Sequence, residues 1–514
     1  MATSLPALLE LRAGGSDTDA LVFSEGRASF AGLAAEVRAA AARLHAAGLG
    51  RGDRVGLLLP ASVGSYALML GAMRLGAIPV PVNARFKARE LGYVVRHSGM
   101  SILVAEPSYE ALLGEAGAAE TARIVLGVDD AELVAAGEGV EAPAPELGAD
   151  DDALMLYTSG TTANPKGAIH RHGAIVAQGE LMAERMRFGE GDVFWTPLPF
   201  FHVGGIATVA GTIAGGVPSV QQGFFEPGEA LDLLEQERCT VAFPAFETIW
   251  LAVLNHPRFA EADLSAIRLV INVGVRTTLE SMQARVPHAP QVSCTGSTET
   301  CAFACIGEPD DPLETRLTTS GRPLRSVEVR TVDPETGDDR EPGVVGELLF
   351  RGPTLFVRYH DDPESTALAI DDDGWFHTGD LGTLDAEGRV SFVGRLKDML
   401  KVGGENVAAA DVESYLLTHP AAEIVQVVGV PDARYVEVPA AFVQLRRDAT
   451  ATEAELIEFC RGQIATFKVP RYVRFVDEWP MSGTKIQKFR LREQLVAELE
   501  AAGITEAPRI ASVR

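Results

Sequence analysis

The stretch Tyr157–Gly167 reads YTSGTTANPKG. Hydroxyl side chains, glycines and one lysine are what a phosphate needs: backbone N–H groups that can approach it and an ammonium to offset its charge. ALMLY before the loop reads as a strand and HRHGAIVAQGELMAERM after it as a helix, so a strand–loop–helix unit is expected. A Walker loop needs glycine directly before the lysine. Pro165 stands there and Gly167 follows Lys166, which excludes that geometry. A polar surface turn is the plain alternative. Five further strings hold groups suited to chemistry: PLPFFHVGGI (197–206), GSTET (296–300), GWFHTGD (374–380), GRLKDMLKVGGENV (394–407) and PMSGTKIQKFRLRE (480–493). Singly, each has a bland reading. Aspartates and GG pairs belong in turns, most lysines lie on the surface, and a histidine such as His202 among apolar neighbours often only packs.

Taken together and in this order, the six strings resemble the motifs of the adenylate-forming superfamily, which includes acyl-CoA synthetases, peptide adenylation domains and luciferases. The family's loop is close to T-S-G-T-T-G-x-P-K-G; Thr158, Ser159, Gly160, Thr161, Thr162, Pro165, Lys166 and Gly167 match, and Ala163 replaces a glycine. The resemblance implies that this loop, with Thr295 and Thr298, binds ATP, and that Glu299 and Thr158 serve Mg²⁺. It implies that Asp380 and Arg395 hold the ribose, and that Lys397 is the hinge of a mobile C-terminal lid. Gly403 and Gly404 would line the path of the CoA thiol. Lys485 would reach the α-phosphate, joining Lys166, Glu299 and His202 as catalytic groups. The acyl pocket would draw on His202, Val203, Gly204, Phe246, Gly274, Arg276 and Gly296. These residues are mostly apolar or small, which favours a hydrophobic acid over acetate; fatty, aromatic and terpenoid acids all remain open. Arg276 could pair with a polar substituent or simply be exposed.

The expected activity is therefore a carboxylate–CoA ligase acting through an acyl-adenylate, with a small-molecule carboxylic acid and CoA as partners. GGENVAAADVE resembles the thioester-forming loop of free-standing CoA ligases. Three departures keep alternatives open. Thr295 stands where the family stacks an aromatic ring on adenine, at a cost on the order of 1–3 kcal/mol by analogy with base stacking. INVGVRTT brings Val273, Val275 and Arg276 where the family keeps small residues, and Thr484 replaces the glycine before the catalytic lysine. The chain could thus transfer only a preformed acyl-adenylate (acyl-AMP) to CoA. An amide-forming ligase and a nucleotide or acyl sensor are the further alternatives.

These groups need a scaffold. FAGLAAEVRAAAARLHAAGL has helical spacing and ends at glycine; RVGLLLP is a short apolar run, and SYALMLGAMRLGAIPVPVN reads as helix then strand. A similar rhythm returns between about 190 and 300. The β-α-β order predicts an α/β fold with parallel sheets in two subdomains, followed by a β-rich piece near 320–395. A terminal α+β unit follows, with helices at 410–418 and 452–465. The resemblance places the division at 1–395 for the adenylate-forming domain and 396–514 for the lid, and it implies a monomer or homodimer.

Composition bounds the partners. The 45 basic and 71 acidic residues give a net charge of −26, which opposes binding to nucleic acid or anionic lipid. The five cysteines form no C-x-x-C pair, and buried small hydrophobes are the better reading of Cys301 and Cys305 than metal ligands. The N-terminus lacks the pattern of a signal peptide and no apolar run is long enough for a span, so a cytoplasmic protein is expected.

Overall fold

The computed structural model describes residues 2–14, 17–158, 165–274, 276–396, 399–402, 405–482 and 485–510. Ser159, Gly160, Thr161, Thr162, Val275, Lys397, Gly403, Gly404 and Thr484 lie outside them, as does the side chain of Lys485.

Two largely parallel sheets carry most of the first 300 residues, as the alternation of apolar runs and helical segments requires. One has the strands Ile78–Pro81, Arg54–Leu58, Ile102–Ala105 and Arg123–Leu126 in that spatial order. The other orders Gln291–Val292, Leu269–Val273, Val241–Phe246, Phe194–Trp195, Ser219–Val220, Asp19–Phe23 and Gly26–Ser29; every neighbouring pair is parallel except the last. The helix Phe30–Ala46 shows how the sequence builds these layers. Ser29 caps it by accepting from Gly32 N at 3.1 Å, and Phe30, Leu33, Val37, Ala41 and Leu44 fall on one buried face.

The expected strand–loop–helix unit is not what forms around the phosphate loop. Asp152–Thr158 pairs antiparallel with a second strand, Lys166–Arg171, and the helix begins only at His172. Ala168, Ile169 and His170 are buried, and Arg358–Tyr359 pairs along the other edge of that strand, so GAIHR is a central strand of a three-stranded sheet. A short run of this kind does not separate strand from helix by periodicity alone. The loop is therefore flanked by the two strands of an antiparallel pair, not by a strand and a helix N-terminus.

Glu328–Val332, Gly346–Arg351, Phe376–Leu384 and Val390–Arg395 form an antiparallel four-stranded sheet. Beyond it, Glu405–Ala408, Met399–Val402, Val436–Leu445 and Ala422–Asp432 form another, and Tyr472–Phe475 runs parallel to Val436–Leu445. The two helices expected here are shorter than the sequence suggested, at Ala409–Leu416 and Glu453–Cys460, and Arg461 already has an extended backbone. Among the described residues no helix is long and apolar enough to cross a membrane.

Candidate active site

Thr158 and Lys166, on either side of the phosphate loop, pair directly across their ladder. Lys166 Nζ lies 2.7 Å from Ser365 Oγ and 5.0 Å from the centre of the Tyr359 ring. The Tyr359 hydroxyl donates to Glu299 Oε1 at 2.8 Å, and Glu299 O accepts from Phe356 N at 2.8 Å. Lys166 and Glu299 thus meet around one phenol. Burial, and then the Glu299 charge, push the Tyr359 hydroxyl far above its ordinary pKa, so it remains a donor. The turn after Glu299 is strained, with Cys301 at φ 57° and Ala302 at φ 90°. It is held by Ser297 N donating to Thr300 Oγ1 at 2.8 Å and by Cys301 N donating to Thr298 O at 3.0 Å.

Asp380 and Arg395 face one another across the strands Phe376–Leu384 and Val390–Arg395, with Arg395 Nε 3.2 Å from Asp380 Oδ1. The carboxylate is the more enclosed partner, 14% exposed against 44% for the arginine. Its backbone is fixed locally: Asp380 N donates to Thr378 Oγ1 at 2.9 Å, and Gly379 N donates to the buried Glu347 at 3.0 Å.

Among the residues expected to bind the acyl group, His202 caps the helix Val203–Gly215 by accepting at Nδ1 from Gly204 N at 3.1 Å. A neutral imidazole that accepts at Nδ1 carries its proton on Nε2. The ring stands edge-on to Phe246, with centres 6.2 Å apart. Val203 is buried. Gly204 and Gly205 let this helix start close to the preceding segment; a Cβ at Gly205 would sit 2.4 Å from Pro199 O. Phe246 ends one strand and pairs with Val273, which leaves its apolar side chain 38% exposed. A Cβ on Gly274 would come within 2.8 Å of Glu247 Oε2, and one on Gly296 within 2.0 Å of Ala302 O. Thr295, in the short strand Cys294–Thr295, is half-buried.

Arg276, at the start of the helix Arg276–Arg285, pairs with Glu314 through both terminal nitrogens at 2.7 and 2.8 Å, and with Glu280 at 2.8 Å. Its side chain is half-exposed, with both acidic partners on the same surface. All five cysteines are buried, and burial pushes the thiols of Cys294 and Cys301 up to about 12.

Lys485 lies in a two-residue strand paired with Met481–Ser482. The helix that follows, Lys488–Ala501, is tied down by Lys488 Nζ at 2.5 Å from the buried Glu413, whose carboxylate also accepts from Val427 N at 2.6 Å. Lys488 is therefore an anchor for the segment that bears Lys485, not an idle surface cation. Sequence reading missed Tyr359 and Ser365. Neither lies in one of the six strings, and each is far in sequence from the group it touches.

Comparison with known proteins identifies the family. The model of the AMP-binding enzyme family matches residues 10–360, and that of the AMP-binding enzyme C-terminal domain matches residues 411–485. A putative acyl-CoA synthetase of Bacillus subtilis, YngI, is 33% identical, over 93% of this chain and 94% of its own. The long-chain-fatty-acid–CoA ligase FadD13 of Mycobacterium tuberculosis is 32% identical, over 92% of this chain and 94% of its own. The ATP-bound crystal structure of MatB from Rhodopseudomonas palustris superposes with a TM-score of 0.89 at 32% identity, covering 96% of this chain and 99% of that one.

Proposed function

This chain belongs to the AMP-binding enzyme family, with relatives named acyl-CoA synthetases and ligases, and on that premise we propose that it is an acyl-CoA ligase that converts a hydrophobic carboxylic acid to its CoA thioester through an acyl-adenylate. The observation that carries the reading is the pairing of two units: Lys166 and Glu299 gathered on Tyr359, and Asp380 facing Arg395. The first suits phosphates; the second offers a carboxylate to ribose hydroxyls.

A carboxylate is a poor electrophile. Its oxygen attacks the α-phosphorus of ATP, a P–O bond forms, and the bond to pyrophosphate breaks. Charge builds on the phosphate oxygens, and the ammonium groups of Lys166 and Lys485 offset it. Glu299 and the Thr158 hydroxyl are hard oxygen donors, the chemistry that suits Mg²⁺ when nucleotide phosphates complete its shell. When bound, the ion supplies further charge compensation. The thiol of CoA then attacks the acyl carbon, AMP leaves, and the thiol proton passes to solvent.

We place the hinge at Lys397, with 1–395 as the body and 396–514 as the lid. Rotation of that lid exchanges Lys485 for the Gly403–Gly404 loop between the two steps. His202, whose Nδ1 accepts from Gly204 N, is suited to donate from Nε2 to the acid's carboxylate. Phe246 and the open side chain of Val273 give the acyl arm apolar walls. Thr295, where the family stacks an aromatic ring on adenine, also supports a second reading, transfer of a preformed acyl-adenylate without adenylation.

The test is product formation. Purified protein is given ATP, Mg²⁺, CoA and carboxylic acids from acetate to long-chain, and thioesters are read by mass spectrometry. The proposal expects product with hydrophobic acids and little with acetate. A preference for acetate would overturn the hydrophobic assignment, and no thioester with any acid but amide with added amines would overturn the choice of acceptor.

A further inference from the structure

Tyr359 is built into the fold from several sides. Its strand pairs with Lys166–Arg171, its backbone N donates to Thr366 Oγ1 at 2.9 Å, and its ring packs on Phe356 with centres 4.8 Å apart. A phenol locked in this way has one remaining freedom, the direction of its hydroxyl hydrogen, and the Glu299 carboxylate takes it at 2.8 Å. The ring face meanwhile lies 5.0 Å from Lys166 Nζ, whose ammonium also contacts Ser365 Oγ. One rigid side chain therefore touches both the acidic and the basic group assigned to the phosphates. A glutamate has three rotatable side-chain bonds and a lysine four, so neither holds a fixed position in a phosphate site unaided.

We infer that Tyr359 is a positioning residue for the adenylation half-reaction: its hydroxyl fixes the Glu299 carboxylate while its ring docks the Lys166 ammonium. The inference rests on the reading above, in which Glu299 and Lys166 serve ATP. It assigns the second half-reaction no dependence on Tyr359, because a preformed acyl-adenylate needs neither the metal-binding carboxylate nor pyrophosphate release. The competing account is that Tyr359 only fills the small core it shares with Ala168, Phe356 and Phe376.

Tyr359→Phe separates the two accounts, since phenylalanine keeps the packing and the ring face and removes only the hydroxyl. Binding of ATP is measured by calorimetry with and without Mg²⁺, for the wild type, Y359F, E299Q and the double variant. Removing a partner that orients a metal-binding carboxylate weakens metal-linked affinity by about 10–100-fold. We expect Y359F to lose about tenfold in Mg²⁺-dependent ATP affinity, and less than twofold when Glu299 is already Gln. Carboxylate-dependent pyrophosphate exchange should fall by a similar factor. Thioester formation from a supplied acyl-adenylate should stay within about twofold, and the melting temperature should be nearly unchanged, since distant and unshared functions add independently. Y359F with wild-type ATP affinity overturns the inference alone, as does an equal deficit in the E299Q background or an equal fall in both half-reactions. Wild-type protein that shows no Mg²⁺-dependent ATP affinity overturns the functional reading and this inference with it.

Discussion

Asp380→Asn is nearly isosteric and tests the ribose assignment. The carboxylate sits opposite Arg395, with Nε 3.2 Å from Oδ1, and is 14% exposed. In the proposed complex it accepts from both ribose hydroxyls. Asparagine keeps one acceptor and presents an NH₂ group where the second was, so one charge-assisted bond is lost and the other becomes neutral. Bonds to charged groups contribute about 1.5–3 kcal/mol, which at about 1.4 kcal/mol per decade is roughly a 10- to 150-fold rise in the KM for ATP. The cost to stability is small. The Arg395 side chain is 44% exposed, so solvent screens the ion pair to below about 1 kcal/mol, or a melting shift under about 4 °C. Initial rates of pyrophosphate exchange across ATP and acid concentrations, with a melting curve, read both quantities. An unchanged KM for ATP in a folded variant would refute the reasoning. A large melting loss would show instead that Asp380 acts by holding the two strands together.

Four other substitutions extend the account. Lys485→Ala should lower pyrophosphate exchange by about 10²–10³-fold, as losing one preorganised charge donor does, and spare thioester formation from supplied acyl-adenylate; equal losses would sink the two-step lid scheme. Thr295→Tyr should lower the KM for ATP, by about fivefold or more if the ring gains about 1–3 kcal/mol of stacking, and no gain would mean that adenine lies elsewhere. Gly296→Ala forces a Cβ to within 2.0 Å of a backbone oxygen and should lose about 1–3 kcal/mol together with activity, seen in melting curves and turnover. Burial holds His170 and His172 down to about 4, so the unfolded chain takes up their protons first as pH falls below about 6.5. Stability is therefore lost between about pH 6.5 and 4, by about 2 kcal/mol per histidine at pH 5. Denaturant titrations at pH 7.5 and 5 should show the loss, and His172→Gln should remove part of it.

Much of this was legible in the sequence because it is written locally. Apolar runs of strand length between helical segments specify parallel layers, and GWFHTGD and GRLKD carry the two residues that the antiparallel sheet sets face to face. The first misreading came from GAIHR. Its burial on both edges is a tertiary fact, supplied by Asp152–Thr158 on one side and Arg358–Tyr359 on the other. Tyr359 and Ser365 were missed for the same reason: their partners Glu299 and Lys166 are brought to them by sheet pairing. Arg276 shows the converse. Its type and position left a ligand contact and an exposed side chain both open, and its ion pair with Glu314, remote in sequence, could not be read from either.

The most direct measurement is carboxylate-dependent exchange of labelled pyrophosphate into ATP, run beside a reaction of supplied acyl-adenylate with CoA. The account predicts robust exchange with a hydrophobic acid and thioester in the second reaction. Thioester without exchange would contradict it and would mean that the site grips an adenylate it does not make.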